Sequence, residues 1–358
     1  MENHPHTRLE RNRLHWRSIN ICRQRSDSCL ILLPQTSKRS IKLSVLCTRS
    51  SPRRSLPLYH LWDQKIESID GTPIRVRIYT PKQQTSSQLL LFFHGGGWVF
   101  ESVDTYNQVC KALAKAIGCR IASVEYRRAP EFPFPVGLED CYAAAKAIYA
   151  NPEQFGVQPE DIILIGDSAG GNLTAAVSLL ARDRGDFTVS QQILIYPATA
   201  ADHSESSPFP SVHENGEGYL LTSYRVQEFM RLYAGQDDSA FTNPYFAPLL
   251  MEDLSHQPRT LVITAEFDPL RDEGEAYAAA LSRAGAQVYL HRMRDALHGF
   301  ISLPARFVQV QRAHALIAKF LGVDTVCADK TNRTGTGWTT QLKFSRRRFT
   351  GRTPRSSD

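Results

Sequence analysis

The sequence predicts an α/β fold built on a mostly parallel sheet with helices on both faces. Short, continuously apolar segments such as LLLFF (89–93), IILI (162–165) and TLVIT (260–264) alternate with amphipathic helical patterns. A strand that is apolar at every position is typical of a parallel sheet covered on both sides. In such sheets functional sites lie beyond the carboxyl ends of the strands, and we expect the functional residues there.

Charge divides the chain into three parts. Residues 1–60 carry a net charge of +9, residues 323–358 carry +5, and the 262 residues between them carry −8. The basic balance therefore belongs to the two ends, which argues against a nucleic-acid-binding protein. We expect a basic N-terminal extension without a fold (1–61), one catalytic domain (62–322) and a similar C-terminal tail (323–358).

The cysteines and the apolar segments indicate in which cellular compartment the protein is expected. The seven cysteines are scattered without a CxxC pair, which favours reduced thiols over a disulfide framework or a zinc site. No apolar run approaches the roughly 18 residues that a transmembrane helix needs. We therefore expect a cytoplasmic protein without a membrane span.

Secondary-structure signals place the elements in order. Two strand patterns, Gln64–Ile69 and Thr72–Tyr79, flank Asp70-Gly71, a signal for a two-residue hairpin turn. Helical patterns follow, and they are predicted at 105–117, at 137–150, directly after Ser168, at 271–284 and at 305–321. The segment 201–240 is too long for a simple connection and predicts an inserted cap over the site.

A serine between glycines ends one of the buried strands. In GDSAGGN, Gly166, Ser168 and Gly170 match the Gly-x-Ser-x-Gly turn that exposes a nucleophilic serine between a strand and a helix. The alternative is that Ser168 is simply the N-cap of the following helix. A serine hydroxyl needs a base and an oxyanion-binding loop to act as a nucleophile.

The remaining parts of such a site occur in the required order along the chain. His94-Gly95-Gly96-Gly97-Trp98 follows an apolar strand and suits a loop whose amides bind an oxyanion. The acid is expected after TLVIT, where Asp268 is favoured over three neighbouring acids: Glu266, Asp272 and Glu273. Asp272 and Glu273 are typical of the first turn of a helix. His298, beside a glycine, is the expected base, and His291 is expected to lie in a strand.

Together, HGGGW, GDSAGG, EFDPLRDEG and LHGF resemble the hormone-sensitive-lipase-like branch of the α/β-hydrolases, over roughly residues 62–322. The resemblance implies an eight-stranded sheet, a partial helical cap, a short-chain carboxylester substrate, and neither metal nor organic cofactor. It also implies that Ser168 is the nucleophile, His298 the base and Asp268 its orienter. The oxyanion hole is implied to consist of the amides of three residues: Gly95, Gly96 and Ala169.

The chain departs from that family in two places. Residues 1–60 show no pattern of the helices that usually form half of the cap, and Glu125 and Arg128 stand where the family often has Asp and Leu. An amidase or lactone hydrolase with the same triad, a binding protein without turnover and a damaged gene product remain alternatives to an esterase. The oligomeric state is left open, a homo-oligomer included.

Overall fold

The structure, a computed structural model, describes residues 59–324 of the chain. The expected N-terminal extension and C-terminal tail therefore lie almost entirely outside the described residues. The first strand begins at Tyr59, slightly before the expected start of the domain at residue 62. The last helix ends at Leu321, next to the expected domain end at residue 322.

Eight strands form one mixed, mostly parallel sheet, which confirms the predicted fold class. They are β1 (Tyr59–Glu67), β2 (Pro73–Pro81), β3 (Leu89–Phe93), β4 (Arg120–Glu125), β5 (Ile162–Asp167), β6 (Gln191–Ile195), β7 (Arg259–Phe267) and β8 (Val288–Leu297). Their order across the sheet is β1-β2-β4-β3-β5-β6-β7-β8. Only the β1–β2 and β2–β4 pairings are antiparallel. The carboxyl ends of β3 to β8 therefore meet at one edge.

The first hairpin turn differs from the prediction. The strands stop at Glu67 and Pro73, so the connection is longer than the expected two-residue turn. The Ser68 N–H donates to the Thr72 carbonyl (2.8 Å), and the Asp70 side chain accepts the Thr72 N–H (3.0 Å). These side-chain and backbone bonds stabilise a wider loop in place of the tight turn.

Seven α-helices lie within residues 59–324. They are α1 (Asn107–Ile117), α2 (Val136–Ala150), α3 (Ala169–Arg184), α4 (Pro210–Glu214), α5 (Ser223–Ala234), α6 (Arg271–Arg283) and α7 (Val308–Leu321). Five of them agree with the predicted helices to within about three residues, an ordinary uncertainty for helix ends. Helices α4 and α5 lie in residues 201–240, which we call the cap segment.

Strand β3 shows how the sheet is covered on both faces. Its side chains are all buried. Leu89, Leu91 and Phe93 join the apolar cluster that includes α2 and α3. Leu90 and Phe92 join the cluster that includes α1 and α7. Because successive side chains of a strand point to opposite faces, a continuous apolar run fills two cores at once.

The cysteines of the described region are unpaired. Cys110, Cys119 and Cys141 are buried free thiols, and burial raises the pKa of Cys110 and Cys119 to about 12. The other four cysteines lie outside the described residues. Between residues 59 and 324, no helix combines the length and the apolar character that crossing a membrane requires.

Candidate active site

A strained turn places Ser168 between β5 and α3. Its backbone has φ 55° and ψ −122°, a conformation that non-glycine residues rarely adopt. A Cβ on Gly170 would lie 2.7 Å from the His94 carbonyl oxygen, and one on Gly166 would lie 2.6 Å from Thr174 Oγ1. Both flanking positions therefore require glycine.

The N-cap alternative for Ser168 is only half right. Ser168 does occupy the N-cap position of α3, but its side chain makes no capping hydrogen bond. Its Oγ instead lies 2.9 Å from His298 Nε2. The hydroxyl is thus directed toward an imidazole rather than toward the helix end.

Ser168, His298 and Asp268 form one continuous hydrogen-bonded chain. His298 Nδ1 lies 2.7 Å from Asp268 Oδ2, on the opposite side of the ring from the serine. Asp268 is fully buried, whereas 11 % of the His298 side chain is exposed. Asp268 is held in turn by its other oxygen, which accepts the Leu270 N–H at 2.9 Å. This arrangement can take a proton from a serine hydroxyl through a histidine whose tautomer is fixed.

The other acids near Asp268 point elsewhere. Glu266 accepts a backbone N–H from the end of β8 (2.8 Å), and Asp272 accepts one from α4 (2.8 Å). Glu273 is buried and accepts two N–H groups from the loop after β6, at 2.6 and 3.2 Å. Asp272 and Glu273 lie in the first turn of α6, as predicted. Of the four acids, the structure brings only Asp268 to His298.

His291 and His298, the two histidines weighed as the base, lie in different elements. His291 lies within β8 and is exposed. That strand continues to Leu297, six residues beyond the expected end, and His298 follows it directly. Gly299, with φ 79°, then turns the chain away, because glycine tolerates the left-handed region that this turn requires.

The glycine loop after β3 corrects one expectation for the oxyanion hole. The Gly95 N–H donates to Asp167 Oδ1 at 3.0 Å, so it is not free to face an oxyanion in this conformation. Gly96 and Gly97 have positive φ values of 108° and 60°. Within residues 59–324, neither of their N–H groups is bonded to a backbone or side-chain acceptor. Ala169 is the first residue of α3, where an N–H has no partner within the helix.

Sequence reasoning missed Asp167, which lies directly before Ser168. Its carboxylate is buried and also accepts the hydroxyls of Tyr106 (2.9 Å) and Tyr196 (3.3 Å). Burial raises the pKa of Asp167 to about 6, against the lowering effect of these hydrogen bonds. A charged residue at the end of an apolar strand was the available signal.

Asn172 was missed as well, although it stands in the same motif. Its side-chain amide donates to the carbonyls of Ala198 (2.9 Å) and Phe246 (2.8 Å), and its oxygen accepts the Trp98 indole N–H (3.3 Å). Trp98 stacks on Tyr233 of α5 with ring centroids 4.7 Å apart. Asn172 therefore joins the glycine loop to both ends of the segment that carries the cap.

The cap segment approaches the site from two sides. A Cβ on Gly97 would lie 2.6 Å from the Phe229 ring, and Phe229 meets Phe100 edge to face at 5.7 Å. On the other side, the Leu220 side chain is the neighbour that a Cβ on Gly299 would meet, at 3.9 Å. Two aromatic rings and one leucine thus flank the glycine loop and the histidine loop.

Not every bulky residue of the cap segment faces the site. Tyr224 is 65 % exposed, whereas Met230 is buried in the core. Helix α5 buries Val226, Met230, Tyr233 and Ala234, the face defined by its helical period. Tyr224 lies on the opposite face and therefore points to solvent.

Glu125 and Arg128, which differ from the family pattern, support the segment after the glycine loop. Glu125 accepts the Val103 N–H (2.8 Å) and pairs with Arg75 (3.0 Å). The Arg128 guanidinium donates to the Glu101 carbonyl.

Within the described part of the chain, no group of three or more His, Cys, Asp or Glu side chains could hold a metal ion.

Comparison with known proteins identifies the family. The model of the alpha/beta hydrolase fold matches residues 90–302, more than half of the chain. An arylesterase of Saccharolobus solfataricus is 35% identical over 274 residues, which are 75% of this chain and 85% of that protein. An ethyl acetate hydrolase of Pseudomonas putida is 32% identical over 263 residues, 72% of this chain and 81% of that protein.

A solved structure agrees with this assignment. The hyperthermophilic esterase of the archaeon Pyrobaculum calidifontis matches with a TM-score of 0.69 and 39% identity, over 74% of this chain and 83% of that one. Sequence and fold therefore indicate the same group of proteins. The chain belongs to the α/β-hydrolase family of carboxylic ester hydrolases, in its hormone-sensitive-lipase-like branch.

Proposed function

We propose that this protein is a serine carboxylesterase that hydrolyses short-chain acyl esters, with Ser168 as nucleophile, His298 as general base and Asp268 as its orienter. The observation that carries the proposal is the continuous chain of contacts from Ser168 through His298 to the buried Asp268 (2.9 and 2.7 Å). These three side chains lie at the carboxyl edge of the sheet, where such sites occur.

In the first half of the reaction, Ser168 Oγ forms a bond to the ester carbonyl carbon while His298 Nε2 takes its proton. The carbonyl oxygen becomes an oxyanion, and we assign its stabilisation to the amides of Gly96, Gly97 and Ala169. Each such donor is typically worth about 3–4 kcal/mol in the transition state. The bond to the leaving alcohol then breaks, and His298 protonates that alcohol.

Water reverses these steps in the second half. His298 takes a proton from water, the hydroxide adds to the acyl carbon, and Ser168 leaves with the proton returned by His298. Asp268 stays ionised throughout, because it stabilises the imidazolium and fixes its tautomer without taking the proton. Addition, elimination and proton transfer complete the cycle, so we expect the enzyme to need neither a metal nor an organic cofactor.

The proposed preference for short acyl chains depends on the cap. Phe229 lies against Gly97, and Leu220 lies near Gly299, so bulky side chains stand beside the glycine loop and beside the loop after His298. A methylene that fits gains about 0.8 kcal/mol of burial, whereas one that clashes costs a comparable or larger amount. The name of the Pseudomonas putida relative, an ethyl acetate hydrolase, agrees with a small acyl group.

A chain-length series tests the proposal. We expect kcat/KM for p-nitrophenyl esters to peak between acetyl and hexanoyl and to fall steeply beyond about eight carbons. A maximum at twelve carbons or more would indicate an open acyl channel and would overturn the short-chain preference. p-Nitroanilides and lactones in the same assay measure the alternative activities, and we expect both to react more slowly than the esters.

A further inference from the structure

One buried carboxylate connects the two loops that carry the proposed chemistry. Asp167 accepts the Gly95 N–H on one oxygen and the hydroxyls of Tyr106 and Tyr196 on the other. Gly95 belongs to the glycine loop, and Tyr196 contacts the loop that follows His298. The proposed mechanism uses Asp167 in no step.

We propose that Asp167 is a positioning residue that holds the glycine loop and the His298 loop in register around Ser168. The proposal rests on the catalytic roles assigned above to Ser168 and His298. Asp167 touches no substrate in this role, and yet it sets the geometry of the glycine loop and of the His298 loop.

The contact with the glycine loop is closely fitted. A Cβ on Gly95 would lie 2.8 Å from Asp167 Oδ2 and 2.9 Å from the Tyr106 hydroxyl. No side chain larger than that of glycine therefore fits between the carboxylate, the tyrosine and the loop without displacing one of them. Because Gly95 directly precedes Gly96 and Gly97, the bond from its N–H fixes where the next two amides begin.

The contact with the histidine loop passes through Tyr196. Its hydroxyl donates to Asp167 (3.3 Å) and accepts the Ile301 N–H (3.3 Å), three residues after His298. The Tyr196 ring also lies against the His298 imidazole, with centroids 4.6 Å apart. Tyr196 has a positive φ of 36°, a conformation that costs backbone energy.

The ionised carboxylate accepts all three donors without supplying a competing proton, and its surroundings make that state costly. The titratable groups around it are Tyr106, Tyr196, His298, Cys110 and Tyr126, with His94 beside Tyr106 at 5.5 Å between ring centroids. Burial lowers the pKa of His94 to about 4, so that imidazole is neutral near pH 7. The same cause raises the pKa of Asp167 to about 6. A buried charge without a contacting cation stabilises a fold poorly, which favours a role in positioning.

Asp167→Asn tests the proposal, since it keeps the shape and removes the charge. We expect kcat for p-nitrophenyl butyrate to fall roughly 10- to 100-fold, because small displacements of reacting groups and lost oxyanion donors have effects of this order. The KM should change little, and the affinity for a trifluoromethyl ketone, which forms a tetrahedral adduct, should fall by a similar factor. The melting temperature should not decrease.

Asp140→Asn is the matched control. Asp140 is also fully buried, but it pairs with Arg127 (2.7 Å) and accepts the Ser68 hydroxyl, away from the site. This variant should lose thermal stability while its folded fraction keeps the wild-type kcat. If Asp167→Asn instead behaved like Asp140→Asn, or kept full activity and ketone affinity, the positioning role would be overturned.

Tyr196→Phe provides a test that does not depend on the folding of Asp167→Asn. Removing its hydroxyl deletes the bonds to Asp167 and from the Ile301 N–H, so kcat should fall by up to the factor seen for Asp167→Asn while KM stays near the wild-type value. An unchanged kcat would contradict the proposal.

Ser168→Ala in the same assay tests the catalytic assignment of Ser168 separately from the positioning role of Asp167. Loss of activity in Ser168→Ala, with full activity in Asp167→Asn, would overturn the positioning role alone. An active Ser168→Ala would overturn the catalytic assignment and the positioning role together.

Discussion

Gly170→Ala adds one methyl group at the point where the nucleophile turn packs against the end of β3. The new Cβ would lie 2.7 Å from the His94 carbonyl oxygen and closer still to the carbonyl oxygen of Phe93. Both atoms belong to the backbone, so no side-chain rotation relieves the overlap. Ordinary van der Waals contact begins near 3.4 Å, and α3 and β3 must therefore separate by at least about 0.7 Å.

This separation moves Ser168 away from the glycine loop, because Ser168 belongs to the turn and the loop continues from β3. Overpacking of this kind costs about 1–3 kcal/mol of unfolding free energy. A misplacement approaching 1 Å can lower the rate about 100-fold. We therefore expect kcat/KM to fall roughly 10- to 100-fold together with a measurable loss of stability.

The assay combines urea unfolding with initial rates on p-nitrophenyl butyrate. Gly274→Ala in α6 is the control, since the nearest atom to its Cβ is a methyl group of Thr264 at 3.3 Å. Alanine improves helix propensity by up to about 1 kcal/mol, so this variant should keep its stability and activity. Wild-type stability and kcat/KM in Gly170→Ala would refute the steric reasoning.

Three further outcomes follow from the site. Asp268→Asn should lower kcat by about 10⁴-fold, because the amide would hold the wrong histidine tautomer. Asp272→Asn should change kcat little. If Asp272→Asn lowered kcat more than Asp268→Asn, Asp272 would be the acid of the triad. Phe229→Ala should raise kcat/KM for octanoyl relative to butyryl esters, since the ring beside Gly97 is removed, and unchanged selectivity would contradict that role. The pKa of Asp167 is raised from 3.8 to about 6, so the folded state favours its protonated form. Unfolding free energy should therefore fall by about 2 kcal/mol from this group as pH rises from 4 to 6. The unfolding free energy of Asp167→Asn should lack that decline. If the difference in unfolding free energy between the wild type and this variant stayed constant from pH 4 to 6, the raised pKa of Asp167 would be wrong.

The parts that the sequence predicted well depend on local pattern. LLLFF at 89–93 is apolar at every position and is a fully buried strand. The glycines around Ser168 predict a tight turn, and the close contacts at those positions require glycine. Ser168 adopts the strained backbone conformation that this turn needs. Asp268 was favoured over Asp272 because Asp272 is typical of the first turn of a helix, and only Asp268 contacts His298.

The parts that it missed depend on contacts between distant segments. The partner of the Gly95 N–H is Asp167, 72 residues later in the chain, and no local pattern links the two. The first hairpin was expected to be tight from Asp70-Gly71, but a bond from the Thr72 N–H to the Asp70 side chain favours a wider loop. The buried contacts of Asn172 and Glu273 likewise join segments that are more than 20 residues apart.

The most direct test of the account is covalent labelling of the intact protein with a fluorophosphonate, followed by peptide mass spectrometry. We expect one modified residue, Ser168, and a loss of ester hydrolysis in proportion to labelling. Ser168→Ala should be neither labelled nor active, although its unfolding midpoint should match the wild type, because alanine fits the same turn. A label on another residue, or hydrolysis that persists in Ser168→Ala, would contradict the central claim.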